Sequence, residues 1–395
     1  MKRLSGYLYG VYKKAAINDE SPLADYAYYL THHLQTFVSV FWDAKNALIR
    51  NKLFYKEYMS DVTIPNLYFE ITNKCNAACV FCAYSKDAPT TGKMIQETFK
   101  NAIDEYIKIG GKMIDLTPIV GEVLLDPELF EKIRYATEKN VFERISVYSN
   151  GILLVKNDNY KRLVDSGITD FSLSFTGPDK QIYEDLYQVN AYDILMQGIK
   201  KLLAYNKEKG EKIRICFQVR SSAAPKELFG KKDFREIIKP YLSDRVTISF
   251  KHNYDNWGGS IKPEDLQGVM KMRRIPKNKT VPCKFLFEPT VLFDGSLRMC
   301  ACRMNKTEFD ELVVGNINQT SLHELFHGEK ATRIRDSFAE RNIPPICQDC
   351  SLYQPVTRSF LRKLPKPLAK GIEKLTQSAK SLGKPKVMEV NEPLP

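Results

Sequence analysis

From Asn66 onward, short runs of β-branched and aromatic residues alternate with segments in which apolar residues recur every three or four positions. The first kind of run predicts strands and the second predicts helices. Strands that alternate with helices are typical of βα units around a parallel sheet. The predicted strands are Leu67–Thr72, Met113–Val120, Arg144–Asn150, Asp170–Thr176, Ile213–Arg220 and Arg245–Lys251. The predicted helices include Gln96–Ile109, Pro127–Lys139, Asn159–Ser166 and Lys180–Lys209.

Six strands with intervening helices predict an α/β fold, a partial (β/α)6 barrel of the TIM type. The chain before this barrel reads as a helical extension, since Tyr26, Leu30, Leu34 and Val38 fall on one helical stripe. The predicted organisation is a helical extension over 1–60, a barrel over 61–255, a polar linker over 256–282, a small cysteine-rich module over 283–355 and a basic tail over 356–395.

The charge of the chain is uneven along its length. The formal net charge is +12, and residues 357–386 contain nine basic residues against Glu373 alone. The body is therefore only mildly basic, which argues against nucleic acid as a partner. In the tail, lysines flank an apolar stripe that runs from Leu364 to Leu382, a pattern that predicts either a helix on an anionic membrane or a solvated tail. The longest apolar run, Thr36–Trp42, is too short to span a bilayer, so we expect a cytoplasmic protein, with peripheral membrane contact as an option.

All of the nine cysteines except Cys216 fall into two groups, and Cys216 reads as a core residue of its strand. In a reducing compartment such groups indicate metal ligands rather than disulfides. The first group, Cys75, Cys79 and Cys82, occupies eight residues directly after the first predicted strand. Three thiolates on one loop can hold three irons of a four-iron cluster and leave the fourth iron open. Zinc fits less well because structural zinc usually has four closed ligands or a histidine.

The spacing C-x3-C-x2-C, with Phe81 before the third cysteine, resembles the radical SAM superfamily. In that family S-adenosylmethionine chelates the open iron of a 4Fe–4S cluster. The resemblance implies reductive cleavage of S-adenosylmethionine to a 5′-deoxyadenosyl radical, which abstracts a hydrogen atom from the substrate. The protein itself contributes positioning and shielding.

Further motifs follow the family in order at the carboxyl ends of the predicted strands. Val120, Gly121 and Glu122 resemble its G-G-E segment, in which the carboxylate would receive the methionyl ammonium, and Tyr148–Gly151 resembles its S/T-N-G turn. Phe81 would cover the cluster or adenine, or be ordinary core packing. The cofactor-binding residues that the resemblance implies are Phe81, Gly121, Glu122, Ser149, Asn150, Ser172, Ser174 and Arg220.

The second group resembles the SPASM module, an auxiliary iron–sulfur extension of radical SAM barrels, through the spacing of Cys283, Gly295 and Cys300. A complete module has seven cysteines, whereas this segment has five, so the resemblance implies one auxiliary cluster. Its expected ligands are Cys283, Cys300, Cys347 and Cys350. Cys302 could replace Cys300, and structural zinc on four thiols remains an alternative.

The fifth cysteine of this group, Cys302, carries a hypothesis of its own. An epimerase returns a hydrogen atom to the substrate radical, and a thiol suits that task, so Cys302 is our candidate catalytic residue. It could equally be a spare ligand or an idle buried thiol.

Taken together, these features predict a radical SAM oxidoreductase or epimerase that acts on a small polar, carbohydrate-like molecule. Its expected cofactors are the 4Fe–4S cluster, S-adenosylmethionine and an auxiliary iron–sulfur cluster, with a reducing partner of the flavodoxin or ferredoxin type. A peptide- or lipid-linked substrate is the alternative within the family. A metal-binding scaffold without enzymatic activity is the alternative outside it.

Overall fold

The computed structural model describes residues 63–83, 91–116, 120–221, 225–251, 253–277, 279–301 and 310–354. All of them lie in one compact unit, Ile49–Pro355, and the other unit, Met1–Leu48 with Val356–Pro395, lies outside the described residues. The predicted helical extension and the predicted amphipathic tail therefore lie outside the described residues. Cys302, which falls in the gap between 301 and 310, lies outside them as well.

A mostly parallel sheet of nine strands forms the centre of the described unit. Its strands, in chain order, are β1 Leu67–Phe69, β2 Met113–Leu116, β3 Arg144–Ser149, β4 Asp170–Phe175, β5 Arg214–Val219, β6 Val246–Phe250, β9 Thr290–Val291, β10 Ser296–Arg298 and β11 Val313–Asn316; a separate parallel pair consists of β7 Asn253–Tyr254 and β8 Lys271–Met272. Strands β1 to β6 are neighbours in chain order and all are parallel. The predicted α/β fold with six parallel strands is confirmed. Five of the strands are one to three residues shorter than the sequence pattern predicts, and β2 ends at Leu116, where the described residues break off.

Helices connect consecutive strands. They are α1 Gln96–Lys108, α2 Leu129–Glu138, α3 Asn159–Asp165, α4 Lys180–Tyr187, α5 Tyr192–Glu208, α6 Pro225–Phe229 and a π-helix at Phe234–Ile238, and the C-terminal part adds α7 Leu322–His327, α8 Glu329–Asp336 and α9 Pro345–Asp349. The single helix predicted over 180–209 is two helices. Gln188 has a φ of 52° and its N–H bonds to the carbonyl of Glu184, so α4 ends there before α5 starts.

The two faces of the central strands differ in polarity because strand side chains alternate. One face of β4 to β6 presents Phe175, Phe217 and Ile248 to the helices, where they form part of the apolar core. The opposite face is polar, and the strand register places its side chains in two rows across the sheet. We call these two rows together the polar face. The first row contains Tyr148, Ser172, Cys216 and Thr247, and the second contains Ser174, Gln218 and Ser249.

The cysteine-rich segment continues the barrel sheet. Strand β9 pairs in parallel with β1, with Tyr68 opposite Thr290, and β10 and β11 follow as antiparallel neighbours. The turn between β9 and β10 contains Gly295 at a φ of 89°, a conformation that favours glycine. Its N–H bonds to the carbonyl of Leu292. An Asp-Gly pair is a typical hairpin turn sequence, and Asp294 and Gly295 occupy this turn.

The segment predicted as a polar linker, 256–282, is packed against its surroundings. Short 3₁₀-helices at Trp257–Gly259 and Pro263–Leu266 bury Ile261 and Leu266, which a solvated linker would leave exposed. The Asn256 side chain also exchanges hydrogen bonds with the backbone of α9 and the residues that follow it. The sequence pattern predicted the irregular backbone of this segment but not the burial of its apolar side chains. The boundaries of the predicted domains remain a prediction.

Candidate cofactor and cluster sites

The first cysteine loop leaves the carboxyl end of β1 and is held by α4. The backbone N–H groups of Ala78 and Val80 donate to the carbonyls of Tyr187 and Leu186, at 3.1 and 2.9 Å. These two carbonyls belong to the last turn of α4, where helix carbonyls have no partner within the helix. The break between α4 and α5 therefore supplies the acceptors that position the loop.

Cys75, Cys79 and Cys82 lie close enough to one another to affect each other's ionisation. Burial raises the pKa of the Cys75 thiol to about 11 and raises that of Cys79 well above its usual value, and the neighbouring thiols add to both shifts. Without a metal the thiols of Cys75 and Cys79 are therefore protonated at neutral pH. Iron binding displaces those protons and offsets the cost of burying the thiolates.

The loop after β2 lies directly against the cysteine loop at Gly121. The N–H of Glu122 donates to the carbonyl of Lys74 at 2.7 Å, one residue before Cys75. Gly121 has a φ of 113°, and a Cβ at this position would lie 2.6 Å from the carbonyl oxygen of Thr72 and 2.8 Å from that of Lys74. This close approach between two backbone segments explains the glycine.

The carboxylate of Glu122 is buried and joins three segments. Its Oε1 accepts from the N–H of Leu124 at 3.1 Å and from the Ser149 hydroxyl at 2.7 Å, and its Oε2 accepts from the N–H of Asn150 at 2.7 Å. Burial raises the pKa of Glu122, and these three donors act against the shift. The side chain of Asn150 continues towards the cysteines, since its Nδ2 lies 2.8 Å from Asn76 Oδ1 and 3.9 Å from Cys75 Sγ.

Phe81 is buried in an aromatic cluster beside the loop, with edge contacts to Tyr187 at 5.4 Å and Tyr254 at 5.5 Å between ring centroids. The guanidinium carbon of Arg220 lies 5.8 Å from the centroid of the Phe81 ring. Arg220 Nη1 donates to Ser174 Oγ at 2.6 Å, and Ser174 Oγ also bonds to the Tyr187 hydroxyl at 2.7 Å. Ser174 and Arg220, two of the predicted cofactor-binding residues, thus lie in one connected group with Phe81 of the cysteine loop.

The remaining predicted position, Ser172, lies in the other row of the polar face. Gln218 Nε2 donates to its hydroxyl at 3.4 Å. Cys216 stands opposite Ser172 in the strand register and is half-buried. The strand position of Cys216 is as predicted, but its side chain belongs to the polar face and not to the apolar core.

The second cysteine group surrounds a pocket beneath the β9–β10 hairpin. Four thiols, those of Cys283, Cys300, Cys347 and Cys350, line it together with apolar residues. The other lining residues are Phe285, Leu286, Leu312, Phe338, Ile346, Leu352 and Tyr353. Burial raises the pKa of Cys283 to about 12, and the neighbouring thiols contribute to the shift.

The chemistry of the donor sets fits iron–sulfur clusters, which thiolates bind. Four thiols line the pocket of the second group, and three lie on the first loop. Four thiolates are also a ligand set for structural zinc.

Two buried cations hold the backbone of the second group. Lys279 Nζ donates to the carbonyls of Cys347, Gln348 and Cys350 at 2.7, 2.8 and 2.7 Å. Arg298 donates to the carbonyl of Cys300 at 2.5 Å and to Asp310 at 2.5 Å. Sequence reasoning missed both cations. Lys279 lies in the predicted linker among other basic residues, and no local pattern distinguishes it from them.

Sequence reasoning also missed Gln218, although a signal for it was present. Gln218 lies two residues before Arg220 on the same strand, so alternation places both side chains on one face. The structure brings together Cys75, Glu122 and Asn150 in one network and Phe81, Ser174 and Arg220 in another. It also places Cys300 with the other three ligand candidates of its group, while Cys302 lies outside the described residues.

Two family models match the chain. The radical SAM superfamily model matches residues 69–218 and the SPASM model, described as an iron–sulfur cluster-binding domain, matches residues 283–351. Together these matches cover more than half of the chain. The two domains imply 4Fe–4S clusters and S-adenosylmethionine as cofactors.

Curated relatives match at low identity. The mycofactocin maturase MftC of Mycobacterium tuberculosis is 26% identical over 145 residues, which are 35% of this chain and 34% of the maturase. The chain thus aligns with about a third of that relative's length. A GTP 3′,8-cyclase of Clostridium perfringens is 25% identical over 256 residues, which are 60% of this chain and 75% of the cyclase.

Solved structures share the fold. BtrN in complex with AdoMet and 2-DOIA superposes with a TM-score of 0.50 at 19% identity, covering 75% of this chain and 96% of BtrN. SuiB of Streptococcus suis, bound to the precursor peptide SuiA, superposes with a TM-score of 0.53 at 12% identity, covering 74% of this chain and 71% of SuiB. From the two family models, the chain belongs to the radical SAM superfamily and contains a SPASM iron–sulfur domain over residues 283–351.

Proposed function

We propose that this radical SAM enzyme removes a hydrogen atom from a small polar, carbohydrate-like molecule and thereby oxidises or epimerises it. The observation that carries the substrate class is the polar face of the sheet, where hydroxyl and amide side chains point away from the apolar core. A carbohydrate offers many hydroxyl groups, and buried polar side chains that hydrogen-bond them discriminate strongly against molecules that lack them.

In this proposal the first loop holds a 4Fe–4S cluster through Cys75, Cys79 and Cys82. S-adenosylmethionine bound at the open iron supplies the radical that abstracts hydrogen. The backbone of Gly121 and the carboxylate of Glu122 bind the methionyl group, and the hydrogen bonds that Glu122 accepts hold its carboxylate in one orientation. Phe81 shields the loop from water within its aromatic cluster.

The remaining predicted residues orient the nucleotide. Ser149 and Asn150 connect Glu122 to the cysteine loop. Ser172 and Ser174 offer hydroxyls on the polar face, and Arg220, bonded to Ser174, supplies a cation for a carboxylate. Four thiols, those of Cys283, Cys300, Cys347 and Cys350, would bind the auxiliary cluster. Cys302 as a hydrogen-atom donor remains part of the proposal and lies outside the described residues.

A peptide substrate is the second candidate, and the match to a mycofactocin maturase over 145 residues favours it. The two candidates differ in which labelled molecule loses its hydrogen. Both require a reductant, for which we propose a flavodoxin or ferredoxin. No helix in the described part of the chain is long and apolar enough to cross a membrane, and contact of the tail with a membrane surface stays a prediction.

The test is the fate of hydrogen in the anaerobically reconstituted and reduced protein. Release of 5′-deoxyadenosine from S-adenosylmethionine distinguishes the enzyme from a metal-binding scaffold. Deuterium appearing in 5′-deoxyadenosine from perdeuterated aminocyclitols or sugars, and not from deuterated peptides, supports the proposed substrate class. Transfer from peptides alone would replace it with the second candidate.

A pair of glutamine variants tests the polar face itself. Gln218→Leu removes the amide beside Ser172, and we expect it to raise KM for the accepted substrate about tenfold, the effect of one lost hydrogen bond that leaves a partner unpaired. Gln181→Leu makes the same change on the exposed surface of α4 and should leave KM unchanged. Equal KM values for both variants would contradict a substrate at the polar face.

A further inference from the structure

Lys279 is a buried cation whose hydrogen bonds all end on neutral groups. Its side chain is 7% exposed, and its ammonium donates to three backbone carbonyls at the end of α9. Because a carbonyl oxygen can only accept, three such bonds use three protons, which is the donor count of the charged ammonium. The three acceptors therefore match the donors of the charged ammonium.

A buried charge without a counter-charge is costly. Within the described part of the chain no carboxylate forms an ion pair with Lys279, whereas Arg298, the second cation that holds this cysteine group, is paired with Asp310. Removing an ammonium from water costs several kcal/mol unless an opposite charge offsets it. The groups near Lys279 that can carry the opposite charge are the thiols of Cys347, Cys350 and Cys283 and the carboxylate of Asp349, which forms no ion pair with it.

A cluster bound by the four cysteines would add negative charge beside Lys279. Four thiolates around a 4Fe–4S core leave a net negative charge, and this charge grows by one electron when the cluster is reduced. A fixed positive charge beside the ligands therefore stabilises the reduced form more than the oxidised form. Net charge, hydrogen bonds and burial around a cluster are the means by which a protein sets its potential.

We infer that Lys279 is a positioning residue of the auxiliary site: its ammonium holds the Cys347–Cys350 turn and raises the reduction potential of the cluster bound there. This inference rests on the proposed auxiliary cluster and is independent of the substrate. The alternative is purely structural, since a cation at the end of a helix also stabilises the last carbonyls. A measurement of potential separates the two, because a purely structural clamp leaves the potential unchanged.

The experiment is a potentiometric titration of the holoenzyme, followed by electron paramagnetic resonance. The auxiliary signal is the one that Cys347→Ala lacks. In Lys279→Met and Lys279→Gln we expect the ratio of reduced to oxidised auxiliary cluster at a fixed potential to fall at least tenfold, which equals about 59 mV for one electron. Lys279→Arg, which keeps the charge, and Lys330→Met, which removes a charge from the exposed face of α8, should stay within twofold of the parent protein.

Each outcome decides the inference. A lowered potential in the methionine and glutamine variants, with their auxiliary iron retained, supports it. Loss of auxiliary iron from these two variants would overturn it, because a purely structural clamp explains such a loss. Unchanged potentials in Lys279→Met and Lys279→Gln overturn it, and so does loss of iron in all three variants, which would mean that only the shape of lysine matters. Zinc on the four cysteines also overturns it. The titration uses neither S-adenosylmethionine nor substrate, so its failure and that of the proposed reaction are distinguishable.

Discussion

Replacing Gly121 with alanine tests whether the close approach of two loops holds the first cysteine group in place. A residue with a Cβ pays about 1–2 kcal/mol in the left-handed region, and Gly121 has a φ of 113°. The new methyl group would also lie 2.6, 2.8 and 2.9 Å from backbone atoms of Thr72, Lys74 and Asn73. Overpacking of this kind costs about 1–3 kcal/mol, and backbone cannot rotate away as a side chain can. The total expected loss of stability is about 2–5 kcal/mol.

Gly110→Ala is the matched control. Gly110 has a φ of 80°, and a Cβ there would meet nothing within 4 Å, so this variant carries the backbone strain without the clash. Urea denaturation of the iron-free proteins should show a loss of about 1–2 kcal/mol in Gly110→Ala and a further 1–3 kcal/mol in Gly121→Ala. The difference between the two variants isolates the contact with the cysteine loop.

Iron content adds a local measurement to the global one. If the clash is relieved by movement of residues 72–74, Cys75 moves with them, and the first cluster is lost while the auxiliary cluster stays. We therefore expect Gly121→Ala to retain auxiliary iron and to release little 5′-deoxyadenosine. Equal stability and equal iron content in the two alanine variants would refute the reasoning.

Two more substitutions address the surroundings of the site. Lys132→Met leaves the buried carboxylate of Asp126 without its ion pair at 2.7 Å and should lower the free energy of unfolding, measured by urea denaturation, by about 3–5 kcal/mol. Arg134→Met, on the exposed face of the same helix, is the control and should lower it by less than about 1 kcal/mol. Equal losses in the two variants would contradict the burial argument. Ser149→Ala removes a donor that keeps the pKa of Glu122 down against the effect of burial. If the ionised carboxylate binds the methionyl ammonium, S-adenosylmethionine binding is lost as the pH falls through the pKa of Glu122. Equilibrium dialysis should therefore show this loss at a higher pH in Ser149→Ala than in the parent protein. The same pH dependence in both proteins would argue against binding of the ammonium by Glu122.

Periodicity predicted the barrel because each strand from β1 to β6 is a compact β-branched or aromatic run between clear helical patterns. It failed at the boundary between α4 and α5, where apolar spacing continues across a break made by one left-handed residue, Gln188. It also failed for 256–282, where turn residues concealed the buried Ile261 and Leu266. Local patterns describe the local path of the chain, whereas burial depends on partners that are distant in sequence.

The candidate site residues show the same difference between what local patterns predict and what depends on residues distant in sequence. Cysteine spacing and the motifs at strand ends located the loop, Glu122, Asn150 and Arg220, because each side chain follows from its position on a strand or turn. Lys279 was missed since its role depends on carbonyls of Cys347 and Cys350, about seventy positions away. The hydrogen bonds that Glu122 accepts from Ser149 and from the N–H of Asn150 likewise depend on tertiary contacts that sequence spacing does not predict.

The pairing of β9 with β1 has a consequence for the order of assembly. Tyr68 stands next to Thr290 in the sheet, so the outer edge of β1 has no partner on that side until the far later hairpin has left the ribosome. During synthesis the strand that leads into the first three cysteines thus has an open edge, which can pair with strands of other chains. The β9–β10 hairpin, which follows Cys283, closes that edge.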